Sequence, residues 1–501
     1  MKRPFALALS CALLASTAFA QTRLVIATVA EASDLDPRTT YDAYSYQRMY
    51  PIMETLLTYS PEDLTLQPRL AESWTFAEDG SSVTFALRQG VTFHHGRPFT
   101  AEDVRYTFEW VLNPDNPGAN PGLLEDITNI EVLDEHTVRF DLSGENAFIL
   151  NNIARLHIVP ADLGEEGDFG RNPVGTGPFV FESWARDDRM VLSAYEDYWG
   201  GRAQVDAVEF RPITEDATRL LAFEGGEIDL YHGQVVPAEV TRLEATEGIT
   251  VQRAVGLGHA YVGFNFRNEA LSDVRVRQAI GHLIPREAIV ERILQGIGSV
   301  ATGPIAPGVP WYNPDVPRYD YDPERARELL EEAGYGDGLS LRLHTNENPV
   351  RVQIAEVLQF EAAQVGVNLE VFVEEFGAFI DRILDTDTAD FDLFLLGWTG
   401  NVDPNYAMFE LFHSRGDNNY IAYTNPELDA LLEEGRRLEP GSEESNAVYR
   451  EAQAVLMADA PFAFINNTEE IGVNHDTITG WQLHPYVSAT FQDLHLVEKA
   501  R

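Results

Sequence analysis

Apolar and polar positions alternate along this chain in two recurring periods. Leu24 to Thr28 is a short apolar run followed by the polar turn Ser33-Asp34-Leu35-Asp36-Pro37, which predicts a buried strand. Val83 to Leu87 and Thr137 to Leu142 alternate with the period of half-buried strands. Thr100 with Asp103 opens a helix start, and Val104, Phe108 and Val111 follow at helical spacing. Farther on, Asp322 as N-cap, Pro323 at the first helical position, Leu329, Leu330 and Ala333 inside and Gly334 past the end predict one helix. Val352 to Val365, stopped by Gly366, predicts another. Val367 to Val373 then alternates as a strand, a helix is expected around Phe379 and Ile383, and Phe391 to Leu396, apolar except at Asp392, is read as a continuous buried strand. Such strand and helix alternation predicts an α/β chain with a largely buried sheet.

The first twenty residues follow a different pattern. Lys2 and Arg3 precede an apolar run from Phe5 to Ala15, and Ala18-Phe19-Ala20 has the small-x-small form of a cleavage site. The run is short of the ~20 residues a membrane span needs. An exported, periplasmic protein cleaved near Ala20 is therefore expected, with a mature chain starting near Gln21. Ala8-Leu9-Ser10 before Cys11 fit lipid attachment poorly, so no lipoprotein anchor is expected. Cys11 is the only cysteine. Its loss with the leader excludes disulfides, thiolate nucleophiles and cysteine metal sites from the mature chain.

Of 501 residues, 80 are acidic and 36 basic, for a formal charge of −44, and the only lysines are Lys2 and Lys499. Nucleic acid and anionic membrane surfaces are disfavoured as partners. A Walker-type lysine, an interior Schiff-base lysine and a lysine general base are excluded. Arginine-dominated basicity beneath so many carboxylates points to a halophile's exported protein, because concentrated salt screens self-repulsion that would otherwise be large. The sequence contains no H-E-x-x-H, G-x-S-x-G, G-x-G-x-x-G or EF-hand loop. Adjacent His94 and His95 would point to opposite faces of a strand. The Gly175-Thr176-Gly177-Pro178 turn leads into Phe179-Val180-Phe181, a strand rather than the helix N-terminus a phosphate cradle needs. No cofactor, metal site or catalytic residue is assigned, and the chain is not expected to be an enzyme.

The informative features are collinear segments. Leu70-Ala71-Glu72-Ser73-Trp74 leads through Phe85-Ala86-Leu87-Arg88-Gln89-Gly90 to Phe99-Thr100-Ala101-Glu102-Asp103-Val104. Asn172-Pro173-Val174-Gly175-Thr176-Gly177-Pro178-Phe179, the run Tyr195 to Gly200, Val274 to Ile280, Tyr321 to Ala326, Gly397-Trp398 and Tyr423 to Asp429 continue the series. Together they resemble the extracytoplasmic solute-binding proteins of peptide/nickel-type ABC importers, the dipeptide- and oligopeptide-binding family.

That resemblance implies a two-lobed periplasmic binding protein fold (class II, cluster C type) with an extra subdomain in the first lobe. Lobe I would comprise residues 21–45, 175–265 and 476–501, the inserted subdomain 46–174, and lobe II 266–475. Two crossings, near Phe264 to Arg267 and near Ile471 to His475, would make the hinge. The expected partners are a peptide or other small-molecule ligand and a membrane permease with its ATPase, and the protein is expected to act as a monomer without nucleic acid. Candidate ligand residues follow. Trp398, Thr399, Asn401 and Asp403 leave the carboxyl end of the buried strand, where α/β sheets place ligands. Asn401 aligns with a carboxylate that pairs with the ligand amine in peptide-binding relatives. Asp403 is either a substitute for it or the N-cap of a helix opened by Pro404. Glu31 and Tyr44 from the first lobe, Tyr261, Phe264 and Asn265 at a crossing, and Tyr420 complete the set. A peptide or peptide-like solute is the expected cargo, with an opine, glycoside or chelated metal as alternatives, and a secreted hydrolase using paired carboxylates as the contrasting class.

Overall fold

The computed structural model describes residues 21–500 except 41, 117–123, 145, 234, 236, 310, 386–388, 401 and 417. The leader expected over residues 1–20 and the candidate Asn401 lie outside the described residues.

An eleven-stranded mixed sheet runs through the molecule. At one end the parallel strands Leu339–Asn346 and Val367–Glu374 lie beside Leu393–Trp398. At the other, Arg23–Thr28 is parallel to both Ala207–Pro212 and Leu230–His232, and the antiparallel strands Arg189–Ala194 and Phe179–Ala185 complete the edge. Two long antiparallel strands, Ile249–Phe264 and Phe462–His475, join the ends. Residues 249–255 pair with 469–475, which in turn pair with Leu230–His232. Residues 259–264 pair with both 462–467 and the strand Leu393–Trp398. Between those halves the register breaks, three residues (256–258) standing opposite Thr468 alone. The sheet thus has two parts that share two continuous strands.

A separate four-stranded antiparallel sheet, Ala71–Phe76, Ser82–Leu87, Thr137–Leu142 and Ile127–Asp134, packs with the helix Ala101–Leu112. The helix begins with the expected capping box, the backbone N–H of Thr100 donating to Asp103 at 2.9 Å. Phe85, Phe108 and Phe140 form the aromatic centre of this subdomain. Its apolar core is continuous with that of the main sheet, and a polar hub adds to the junction. Glu54, almost fully buried, accepts from Arg69 Nε and the Tyr198 hydroxyl on one oxygen, both at 2.9 Å, and from Thr176 Oγ1 (2.9 Å) and Trp199 Nε1 (2.8 Å) on the other. Gly175 must be glycine here, because a Cβ would fall 2.1 Å from the Ile52 carbonyl oxygen. The turn read from sequence as local punctuation therefore holds a long-range junction.

The second half follows its sequence signals closely. Helix Pro323–Glu332 is capped by Asp322, which accepts from the Arg325 N–H at 2.9 Å, and helix Pro349–Gln364 begins at Asn348. The buried strand is displaced by two residues from the expected Phe391–Leu396, to Leu393–Trp398. Asn265 Nδ2 binds the Phe391 carbonyl at 2.8 Å and the Asp392 carboxylate accepts from the Arg342 N–H, so Phe391 and Asp392 are held by side-chain bonds outside the ladder. At the other end Gly397 and Trp398 still pair, with Ala260 and His259. Trp398 is the last residue of the strand, where a loop was expected.

Candidate ligand site between the two halves

Trp398 projects from the strand end against helix Pro404–Phe412, its ring stacked on Tyr406 with centroids 5.7 Å apart. Asp403 caps that helix, accepting from the Asn405 N–H at 2.8 Å. Burial pushes the Asp403 carboxyl up to about 7, outweighing the Asn405 and Tyr406 N–H groups and the charges of Arg155 and Arg436. Of the two roles open to Asp403 in the sequence, its geometry is that of the cap. Gly400 lies so close to the register break that a Cβ would stand 1.7 Å from the Leu257 carbonyl oxygen. Gly400→Ala should displace residues 399–403, lowering stability by about 1–3 kcal/mol. A thermal melt within 1 °C of the parent's would show that the segment shifts freely.

The inserted subdomain supplies the opposing face. Residues 155–157 run beside Thr55, and the guanidinium of Arg155 lies over the Tyr406 ring, 5.4 Å from its centroid. His157 is enclosed by Tyr46, stacked at 5.6 Å, and Tyr50, edge-on at 4.6 Å, and burial pushes its imidazole down to about 3. The two faces touch elsewhere: the Ala147 N–H donates to the Arg436 carbonyl at 2.6 Å, and Phe148 packs against Trp311 and Tyr449. Arg436 is also ion-paired with Asp126 at 3.4 Å.

On the elements that carry these faces, several buried polar atoms have no hydrogen-bond partner: Arg155 Nε and Nη1, both nitrogens of His157 and of His259, the Tyr261 hydroxyl and Trp398 Nε1. Each such atom costs about 1–3 kcal/mol, and folded proteins satisfy nearly all of them. Arg155 and Trp398 meet across the shared Tyr406 ring, so their unpartnered N–H groups face a place where a solute with polar groups of its own would satisfy them.

The remaining sequence candidates divide. Tyr261 is fully buried, stacked on Phe462 at 4.1 Å, with its hydroxyl in the unpartnered group. Phe264 is core to the 339–398 half, and Asn265 is committed to the Phe391 carbonyl and the Arg267 N–H. Glu31 accepts from the Asp187 N–H at 2.9 Å at the surface, and half-buried Tyr44 opens helix Ala43–Met49, its carbonyl bound by Arg48. Thr399 is exposed, and Tyr420, half-buried, donates to Asn418. Arg155, Tyr406, His157 and His259 escaped the sequence reading. No local pattern marks them, since their meeting depends on how the two halves are brought together.

The family described as bacterial extracellular solute-binding proteins, family 5 Middle, matches residues 65–420. The chain belongs to this family. Among family 5 relatives, heme-binding protein A of Haemophilus influenzae is 30% identical over 89% of this chain and 86% of its own length. The dipeptide-binding protein of Escherichia coli is 29% identical, with 91% and 90% covered. The oligopeptide-binding protein AppA of Bacillus subtilis, solved with a nonapeptide, superposes with a TM-score of 0.82 at 26% identity, over 96% of this chain and all of that one. The α/β, two-lobed fold expected from the sequence is the family 5 fold. No described helix is long and apolar enough to cross a membrane.

Proposed function

We propose that this protein is the solute receptor of a peptide-type ABC importer, capturing a small peptide or peptide-like molecule between its lobes and delivering it to a membrane permease with its ATPase. The observation that carries this reading is the convergence of Trp398 and Tyr406 from one lobe and Arg155 from the other around unpartnered polar atoms. A ligand touching both faces favours the closed state over the open one by its differential contacts. The change of strand partners supports lobe I as residues 21–45, 175–255 and 469–501, the inserted subdomain as 46–174, and lobe II as 259–467, with the hinge at 256–258 and Thr468. This puts the crossings within the long strands, away from Phe264 to Arg267 and Ile471 to His475. Trp398, Tyr261 and Asn401 belong to the ligand site in this reading, and Asp403 supports it as a cap.

The same capped, buried Asp403 favours the second reading, a non-peptide solute such as an opine, because its carboxyl is directed at the helix and away from a ligand amine. A cleaved leader ending near Ala20, a periplasmic address, monomeric action and a saline habitat complete the proposal. They are supported by the Lys2-Arg3 start, the apolar run and the charge of −44.

Native mass spectrometry of protein purified gently in high salt, followed by denaturing release, tests the receptor reading. One peptide or peptide-like solute per chain is expected, and a released sugar would overturn the peptide cargo. With the released solute in hand, Trp398→Ala should weaken binding by at least tenfold, since a buried aromatic wall contributes about 1.5–3 kcal/mol. The half-buried indole contributes little to the core, so the thermal midpoint should hold. Unchanged affinity would remove Trp398 from the site.

A further inference from the structure

Behind the register break, a loop that belongs to one half of the sheet is fastened to the other half. After the short π-helical turn Ile289–Ile293, residues Gln295, Gly296 and Gly298 all take left-handed backbone, with φ of 50°, 81° and 84°. Gln295 lacks the freedom of glycine there, and strained residues of this kind gather at clamps and switches. The loop's exit is anchored to the half that holds residues 339–398. Ser299 and Val300 pair with Asn467 and Asn466, and Asn467 Nδ2 donates to Ser299 Oγ and to the Val300 carbonyl, both at 3.3 Å. Gly298 packs so closely that a Cβ would fall 2.3 Å from the Asn467 carbonyl oxygen. The loop's tip binds residues beyond the break. The Gly298 N–H donates to Glu469 Oε2 at 2.9 Å, and the Gly296 carbonyl accepts from Arg253 Nη2 at 3.0 Å. Arg253 and Glu469 are themselves joined by two bonds, at 2.8 and 2.7 Å. Ile297 packs against the apolar cluster that contains Ile471, Val473, Val240 and Leu243.

Along Phe462–His475, Phe462 and Phe464 join the core that holds Tyr261, whereas Ile471 and Val473 belong to the cluster under Ile297. Successive side chains of a strand point to opposite faces, so the loop lies on the sheet face away from the interlobe site. Only residues 256–258 and Thr468 separate its two anchorages. A rotation at those residues carries Arg253, Glu469 and Ile471 away from a loop that Ser299 and Val300 hold to the other lobe, and hydrogen bonds of this length tolerate little displacement. In the conformation described, the lobes touch through Ala147 and Arg436 while the loop is docked, so its contacts favour the closed state over the open one. We propose that residues 295–298 form a strap across the back of the hinge that latches the closed state, so that the protein populates this state before any solute arrives and holds its solute longer once closed. The inference rests on the receptor reading for the position of the hinge, and it is independent of the cargo's identity.

The test reads the distance between the lobes directly. A mature chain without cysteine accepts spin labels at two introduced positions alone, the exposed residues Glu182→Cys in lobe I and Glu356→Cys in lobe II. Electron–electron double resonance is recorded on the mature full chain in fixed molar salt, after its own solute has been removed by reversible unfolding. Two distances are expected, one for each state. Glu469→Ala removes the acceptor of the Gly298 N–H, and Ile297→Ala empties the apolar seat. Each should lower the closed-to-open ratio on the order of tenfold, the scale of one charge-assisted hydrogen bond or one buried aliphatic side chain. Ile297 is half-buried, so its variant keeps the test decisive if Glu469→Ala fails to fold. Glu291→Gln, an exposed position on the π turn, should leave the ratio as it is. A ratio unchanged or raised in either folded strap variant overturns the latch, as does an equal fall in Glu291→Gln or a solute-free parent that is wholly open. No solute enters this measurement, so its failure leaves the receptor reading standing, and failure of the receptor reading shows separately in the native mass spectra.

Discussion

Glu54→Ala should cost about 3–5 kcal/mol of stability, the penalty for breaking a buried ion pair from one side. Four donors converge on this carboxylate: Arg69, Tyr198, Thr176 and Trp199. Alanine leaves all of them without that acceptor. Arg69 keeps Asp493 at 3.0 Å and the Gln492 carbonyl, but Asp493 is partly open to solvent and compensates weakly. Glu54→Gln preserves the shape and one carbonyl acceptor, while its amide N–H groups face donors, so an intermediate loss is expected. The damage should extend to the ligand site, because the Glu54 carbonyl receives the Ile158 N–H at 2.9 Å and that segment carries Arg155 and His157. Urea unfolding in fixed molar salt measures the effect. A loss under about 1 kcal/mol in Glu54→Ala would show that the hub's desolvation cancels its hydrogen bonds.

Asp403→Asn should stabilise the protein above pH 7 and leave it unchanged near pH 3.5. The folded-state carboxyl titrates near 7 against an ordinary 3.8, burial being the main cause. Below 3.8 both states hold the proton, and the group costs nothing. From there upward the unfolded chain ionises while the folded one keeps its proton, so stability falls as pH rises, levelling off above 7. The full penalty is about 4 kcal/mol. Asparagine caps a helix as well as aspartate and carries no charge, so the Asn405 N–H stays satisfied. Other carboxylates, such as Glu374 beneath Arg382 and His344, are held low and gain stability in the opposite sense, so the quantity to measure is the variant minus the parent at pH 3.5, 5.5 and 8. A difference independent of pH would mean that Asp403 ionises in its ordinary range.

The sequence was legible wherever the physics is local. Caps at Thr100 and Asp322, the proline at 323 and the alternating runs at 83–87, 137–142 and 367–373 all depend on neighbours a few residues away, and each appears as read. Collinear segments identified the family although their purpose was hidden: Thr176, Tyr198 and Trp199 matter together through Glu54, which no local pattern singles out. The site was half legible. Trp398 stood out by following a buried strand, but Arg155 and Tyr406 are separated by some 250 positions and become neighbours only when the two halves meet. Phe264 and Asn265 were drawn into the candidate list by their position near a crossing, yet their side chains are occupied by the core and by backbone carbonyls.

The two long strands also dictate an order of assembly. Arg23–Thr28 pairs with Leu230–His232, whose other neighbour is the far end of Phe462–His475, and Lys499 Nζ reaches back to the Arg23 carbonyl at 2.8 Å. A chain cut before Phe462 would leave Ile249–Phe264 with an open edge along most of its length, a template for pairing with another molecule. The half that holds Arg23–Thr28 therefore closes late, on contacts between the beginning and the end of the polypeptide, and such high contact order means slow folding.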